Sequence, residues 1–220
     1  MRRTIRLAAA SVVAAAVSVG FAGPALAAPT VRANWLMGSI GTMVDSAGGD
    51  NNGTTSNITM SPDGYYTFNG TNSIATAPHK ANLNPGTANI TVEAKINATR
   101  APEPGNTFDV IRKGTSTTAG GYYKIELKTT STGVVNAACI FRDVNRVTGS
   151  AILRIPTTGW VALTCKKTAS SVTIVANGTT RTVARTVASI ANTSPVYIGG
   201  KGDGTDVFPG LMDYARITIG

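Results

Sequence analysis

The sequence predicts an all-β protein, a sandwich of antiparallel strands. Three observations carry this expectation. Thr, Asn, Ser, Gly and Val dominate the body of the chain, while Leu and Glu, which fill helices, are scarce. Period-two alternation of apolar and polar residues recurs through most of it, as in a sheet with one buried face. Turn residues separate the alternating runs at short intervals, which favours a sandwich, and no stretch carries a convincing helical period.

The first 27 residues must be set aside before the fold is read. Met1-Arg2-Arg3-Thr4-Ile5-Arg6 is a basic start, an apolar run follows over 7–21, and Gly23-Pro24-Ala25-Leu26-Ala27 places small residues around a cleavage point after Ala27. This is the layout of a secretory signal peptide, so the mature chain is expected to be secreted and extracellular. A retained anchor helix is the weaker reading, because the apolar run is short for about 30 Å of hydrocarbon and ends at Gly-Pro. The Arg2-Arg3 pair raises a twin-arginine route, but a dipeptide alone leaves the general route favoured.

Removing 27 of the 220 residues leaves 193, and losing Arg2, Arg3 and Arg6 takes the net charge from +9 to +6. That length suits one domain, expected over 33–220 after a short extension at 28–32. The chain has no internal repeat and no Pro- or Ser-rich linker, and it ends directly after the last alternating run, as a stand-alone domain would. Arg100, Arg142, Arg146, Arg154, Arg181, Arg185 and Arg216 are scattered, without interleaved aromatic residues, so no specific nucleic-acid partner is expected. With 14% charged residues and few acids, neither a coiled coil nor an acidic disordered tail fits. The lone His79 excludes a multi-histidine metal site.

Alternating runs are expected as strands at 64–69, 90–97, 122–128, 134–142, 160–166, 171–176, 180–187, 196–199 and 211–219. The clearest is Ile90-Thr91-Val92-Glu93-Ala94-Lys95-Ile96-Asn97, with Ile90, Val92, Ala94 and Ile96 on one face. Asn177-Gly178 between two runs is a hairpin signal, since both central residues of a type I′ turn need positive φ. The polar stretch 45–61 reads as a long loop. Two cysteines in an exported chain read as one disulfide, Cys139 to Cys165, worth about 3 kcal/mol in the chain-entropy model. A redox role would want a C-x-x-C spacing, which is absent. Asn-x-Ser/Thr sequons at Asn52, Asn57, Asn69, Asn89, Asn97, Asn177 and Asn192 are common by chance in so Asn- and Thr-rich a chain, and no glycans are assigned.

The order of several segments resembles a known family. Trp35-Leu36-Met37, Val44-Asp45-Ser46-Ala47-Gly48-Gly49-Asp50-Asn51-Asn52-Gly53 and Tyr65-Tyr66-Thr67-Phe68-Asn69-Gly70 are similar to the opening of a laminin G-like domain of the concanavalin A-like lectin/glucanase superfamily. Val110-Ile111-Arg112-Lys113-Gly114, Tyr123-Lys124-Ile125-Glu126, Gly159-Trp160-Val161, Ile198-Gly199-Gly200 and Phe208-Pro209-Gly210-Leu211-Met212-Asp213 follow in the matching order, and the cysteine pair resembles the secreted actinobacterial branch. The resemblance implies a jelly-roll sandwich of two antiparallel sheets in which the first strand, near Trp35, lies beside the last. The family often has Trp-His before the second cysteine-bearing strand; here Val161 follows Trp160, so any role of that histidine is in doubt.

The resemblance also implies calcium as a cofactor, with Asp45 and Asp213 at positions where acidic ligands occur. Asp213 shares the parity of Leu211, Ala215 and Ile217, which would turn it inward; the competing reading has Asp45 capping a turn and Asp213 bonding backbone amides. Asp203 and Asp206 form a second candidate pair in a Gly-Asp-Gly turn. A glycoside hydrolase would need two carboxylates on one face, and Glu93 and Glu126 are the candidates, since Glu103 lies outside any strand run. Lys95, Lys124 and Lys128 beside them make ion pairing the cheaper account, and no acid-x-acid-x-x-acid motif is present, so no catalysis is expected. A noncatalytic module binding carbohydrate or a cell-wall or matrix polymer is the expected function, with Trp160, Tyr122, Tyr65 or Tyr66 as an aromatic platform and a protein-binding adhesion domain as the alternative.

Overall fold

The computed structural model describes residues 28–220. The expected signal peptide, 1–27, lies outside the described residues. Within them the chain is two eight-stranded antiparallel sheets packed face to face, a jelly-roll sandwich, and its one helical element is a 3-10 turn at Ala81–Leu83.

Strands are numbered in chain order. The first sheet runs β14 (Thr179–Ala184), β13 (Ser171–Ala176), β12 (Val161–Lys167), β7 (Ile90–Ala98), β16 (Pro209–Ile219), β5 (Tyr66–Asn69) and β4 (Thr59–Met60), with β1 (Thr30–Trp35) also on β16. The second runs β11 (Thr148–Arg154), β10 (Val135–Arg142), β9 (Tyr122–Thr129), β8 (Thr107–Lys113), β15 (Val196–Ile198), β6 (Ile74–Ala77), β3 (Gly53–Ser56) and β2 (Thr42–Met43). The first strand does lie beside the last, with Thr30 opposite Ile219. β1 therefore begins inside the segment 28–32 expected as an extension, and β3 and β4 fall within the stretch 45–61 expected as a loop.

The alternation read from the sequence builds the interior. Ile90, Val92, Ala94 and Ile96 are fully buried and face Ile111, Ile125, Leu127 and Phe141 of the other sheet in one continuous core. Trp35 is wholly buried and donates its indole N–H to Asn51 O at 2.8 Å, the bond such a ring needs inside a core. Asn177 and Gly178 both take positive φ, 46° and 84°, and join β13 to β14 as the hairpin signal required. Gly121, at φ 84°, passes so close to β10 that a Cβ there would sit 2.1 Å from Arg142 O; only glycine lets β9 start at that point.

Cys139 on β10 and Cys165 on β12 are both fully buried and form the expected disulfide, which ties one sheet to the other across 26 residues of sequence. The double variant Cys139→Ala/Cys165→Ala is expected to lose about 3 kcal/mol of unfolding free energy, read as a lower urea midpoint with an unchanged far-ultraviolet spectrum.

A second tie is Lys113 at the end of β8, which points into the sandwich with no carboxylate beside it. Its ammonium donates to Asn192 O at 2.9 Å, Asn192 Oδ1 at 3.0 Å and Ser194 O at 2.7 Å, and lies 3.2 Å from His79 Nδ1. Burial pushes Lys113 down to about 8, and burial together with the Lys113 charge lowers His79 as well. Between that value and the unfolded lysine pKa of about 10.4, the unfolded chain binds the extra proton, so this residue's contribution to stability rises with pH. Urea midpoints measured from pH 8 to 9.5 are expected to climb in the wild type and to climb less in Lys113→Met, where buried Lys167, also lowered by burial, keeps its share.

Candidate functional site

In an antiparallel ladder directly opposed residues share a face. Registers across β15, β8, β9 and β10 therefore place Tyr197, Arg112, Lys124 and Ile140 in one row on the outer face of the second sheet. The next row holds Asp109, Glu126 and Ala138. A β-bulge at Val110 brings Asp109 and Arg112 to the same side although they are three residues apart.

These four charges interlock. Arg112 Nη1 pairs with Asp109 Oδ2, Lys124 pairs with Glu126, and Lys124 Nζ lies 3.5 Å from Asp109 Oδ1. Arg112 Nε also donates to Gly114 O at 3.0 Å. Asp109 has no exposed surface and Arg112 only 3%, unusual for residues on the outward side of a sheet. The segment 201–206 folds over them, held by Asp109 N donating to Asp206 O at 2.8 Å. Burial raises Asp109 while Arg112 and Lys124 pull against it. Burial works to lower Lys124, but the charges of Asp109 and Glu126 outweigh it and hold the ammonium above its ordinary value.

Above this network opens a cleft of about 370 Å³, walled by Thr115, Ser116 and Thr117 on one side and by Lys201 and Asp203 on the other, with Tyr122 beside Lys124. Lys201 Nζ pairs with Asp206, which also accepts from Thr107 Oγ1 at 2.9 Å. Asp203 accepts from Thr205 N at 3.0 Å and Thr205 Oγ1 at 2.7 Å, and those bonds lower its pKa. Asp203 and Asp206 thus shape the wall of the cleft.

The carboxylates expected to bind calcium are committed elsewhere. Asp45 Oδ1 accepts from Asn34 N and Ala47 N, both at 2.9 Å, while Oδ2 accepts from Asn51 N at 3.0 Å and Asn51 Nδ2 at 3.2 Å. Four N–H groups already point at the lone pairs a cation would use, so Asp45 is a loop organiser that does not fit a calcium ligand. Asp213 does not turn inward, because a second bulge between Met212 and Tyr214 resets the parity of β16. Met212, Ala215 and Ile217 are buried, whereas Asp213 faces out and pairs with Lys95 Nζ at 2.8 Å. Among the described residues no group of three or more His, Cys, Asp or Glu side chains is arranged to hold a metal ion.

The carboxylates proposed as a hydrolase pair are on different sheets. Glu93 is on β7 and faces out from the first sheet, 3.8 Å from Arg216; Glu126 is on β9 and faces out from the second. With the core between them they cannot flank one glycosidic bond. The carboxylate opposite Glu126 is Asp109, which the sequence reading missed, and both are held by Lys124 and Arg112 beneath the cleft.

Of the aromatic candidates, Tyr66 is buried with its hydroxyl donating to Ser39 O, and Tyr122 lines the cleft. Tyr65 and Trp160 meet on the outer face of the first sheet, ring centroids 4.7 Å apart.

A two-sheet jelly roll with a polar cleft across one face defines a lectin-like β-sandwich. The family model for Laminin_G_3, of the concanavalin A-like lectin/glucanases superfamily, matches residues 68–218, and the chain belongs to this family. No curated protein sequence matches. Similar solved structures include the binding domain of Paraclostridial Mosquitocidal Protein 1, with a TM-score of 0.64 and 14% identity over 86% of this chain and 48% of that one. Another is the binding domain of botulinum neurotoxin serotype D, with a TM-score of 0.61 and 14% identity over 86% of this chain and 47% of that one. A third is domain 4 of AbnA, an extracellular arabinanase from Geobacillus stearothermophilus, solved with arabinotriose, with a TM-score of 0.61 and 16% identity over 87% of this chain and 93% of that one. At these identities the likeness is one of fold, and the chain spans about half the length of the two toxin domains.

The role given to Asp45 is open to measurement. Asp45→Ala is expected to lower the unfolding free energy by about 3 kcal/mol, through loss of hydrogen bonds to a buried charge. Calcium or chelator is expected to leave the wild-type melting temperature unchanged; a rise with calcium that Asp45→Ala abolishes would restore the metal assignment.

Proposed function

We propose that this domain is a secreted, noncatalytic carbohydrate-binding module that recognises its ligand in the cleft on the outer face of the second sheet. The observation that carries the reading is the buried network of Asp109, Arg112, Lys124 and Glu126 at the base of that cleft. Burying four charges is expensive unless they are fully paired. The neighbouring strand covers the same two rows with Ala138 and Ile140, so the fold itself does not demand charge there.

What the network supplies is a set of donors fixed in place. The carboxylates hold Arg112 and Lys124, which line the cleft together with Lys201, Thr115, Ser116 and Thr117. Charge-assisted hydrogen bonds from such groups to sugar oxygens are about twice as strong as neutral ones, and preorganised donors lose little entropy on binding. Catalysis is not supported by the same geometry, since Asp109 and Glu126 are locked by cations below the surface. The arabinotriose bound by the arabinanase domain of the same fold agrees with a saccharide ligand. The basic, apolar and small-residue layout of 1–27 supports export.

A protein-binding role has one observation in its favour. The segment joining Trp35 to Asp45, which bridge to each other, leaves Leu36, Ile40 and Val44 more than half exposed.

Binding of the purified domain to an array of neutral and acidic polysaccharides tests the proposal. Saturable binding is expected to weaken about tenfold in Lys201→Ala and in Thr117→Ala, as the loss of one hydrogen bond to a charged or polar group allows, with no release of reducing sugar. Binding that neither substitution changes would place the ligand elsewhere, and a blank array would favour a protein partner.

A further inference from the structure

The outer face of the first sheet carries a second cluster that neither the fold nor the cleft requires. Its strand order is β12, β7, β16, β5, so Trp160, just before β12, and Tyr65, just before β5, start from strands with two others between them. Their rings nevertheless meet edge to face at an interplanar angle of 63°, spanning the sheet surface above β7 and β16. Both remain partly exposed.

Polar groups are placed around this pair by the backbone. Ala162, Lys95 and Tyr214 form one row across β12, β7 and β16. Lys95 Nζ lies 5.2 Å from the Trp160 ring centroid and 2.8 Å from Asp213 Oδ2. The bulge in β16 turns Asp213 and Tyr214 to the outside together; a regular strand would have sent one of them into the core. Arg216 Cζ sits 5.4 Å from the Tyr214 ring centroid and its guanidinium faces Glu93. Lys95 and Arg216 each have their own carboxylate, so the surface beside the two rings offers aromatic area and hydrogen-bonding groups with those charges balanced.

We propose that Tyr65 and Trp160, with Lys95 and Asp213, form a second saccharide site that takes an uncharged sugar ring by its C–H face. Aromatic side chains bring large rigid area at little entropic cost, and the ion pair beside them fits the paired donors and acceptors of sugar hydroxyls. The cleft, by contrast, is lined by three cations and one carboxylate, so the two sites differ in the ligand they suit. They also open on opposite sides of the sandwich, so no short oligosaccharide reaches both, and a domain with both filled joins two polymer chains. That joining rests on the cleft reading; the aromatic site does not.

The chain has two tryptophans, and Trp35 is fully buried, so quenching of indole fluorescence by iodide reports Trp160. Titration with arabinotriose, xylotriose and cellotriose is expected to protect Trp160 saturably for at least one of them. Protection is expected to persist in Lys201→Ala and to weaken at least tenfold in Tyr65→Ala, with each variant's melting temperature measured alongside. Turbidity with a mixture of a long neutral and a long acidic polysaccharide is expected from the wild type and not from Tyr65→Ala. Absence of protection by every sugar overturns the site, as does full protection in a folded Tyr65→Ala variant. Protection lost in Lys201→Ala would show a single shared site and overturn the proposal of two. Protection that survives while Lys201→Ala leaves all array binding unchanged would keep the aromatic site and remove the cleft.

Discussion

The architecture depends on β16 pairing along both of its edges. One edge is bonded to β7 from Gly210 to Ile219, and the other is shared, β5 taking the first part and β1 the last. Strands from the beginning, middle and end of the described chain are thereby fixed to one eleven-residue element. Loss of its register would move every inward side chain of β16 to the outside, because side-chain direction alternates with period two. The interruption at Asp213 changes that parity within the strand while its partner β7 continues unbroken. Core filling on both sides of the bulge and the outward turn of Asp213 and Tyr214 therefore have one cause.

This explains which parts of the molecule were legible in the sequence. β7, β9, β10, β12 and β13 alternate cleanly, and the structure places them within a residue or two of the expected limits. β3 and β4 are short and rich in Thr and Ser, and so resemble loop. β8 contains Phe-Asp-Val-Ile-Arg-Lys, six consecutive residues that are all buried, and its bulge breaks the period by which a strand would be recognised. The inward reading of Asp213 failed for the same reason, since parity carries across a regular strand and not across an inserted residue.

The candidate sites were harder to read than the fold, because each is assembled between strands distant in sequence. Glu93 and Glu126 resemble each other locally, both flanked by lysines on the polar side of a strand, and only strand order assigns them to opposite faces. Tyr65 and Trp160 were among the four aromatic candidates, but their contact depends on the order β12, β7, β16, β5. Asp109 carried no signal at all: it sits in a run that otherwise reads as core, and its partners Arg112 and Lys124 become its neighbours only through the bulge and the β8–β9 register.

The same comparison separates structural charge from charge with another use. Lys113 and Lys167 are both fully buried, and both direct their ammonium groups at backbone or amide oxygens at an end of the sandwich. The need of a buried ammonium group for hydrogen-bond acceptors explains both bond sets. Arg112 makes one bond of that kind, to Gly114 O, and Lys124 Nζ makes none. They lie mid-sheet, on the outward side, where an apolar residue such as Ile140 serves the adjoining strand, and their carboxylates are supplied by that same face. A network that supports itself and ends at the floor of a cleft stabilises the sheet little, since apolar side chains of the same volume would do as well. What it does provide is a fixed position for two cations that flexible surface lysines cannot hold, and both line the cleft.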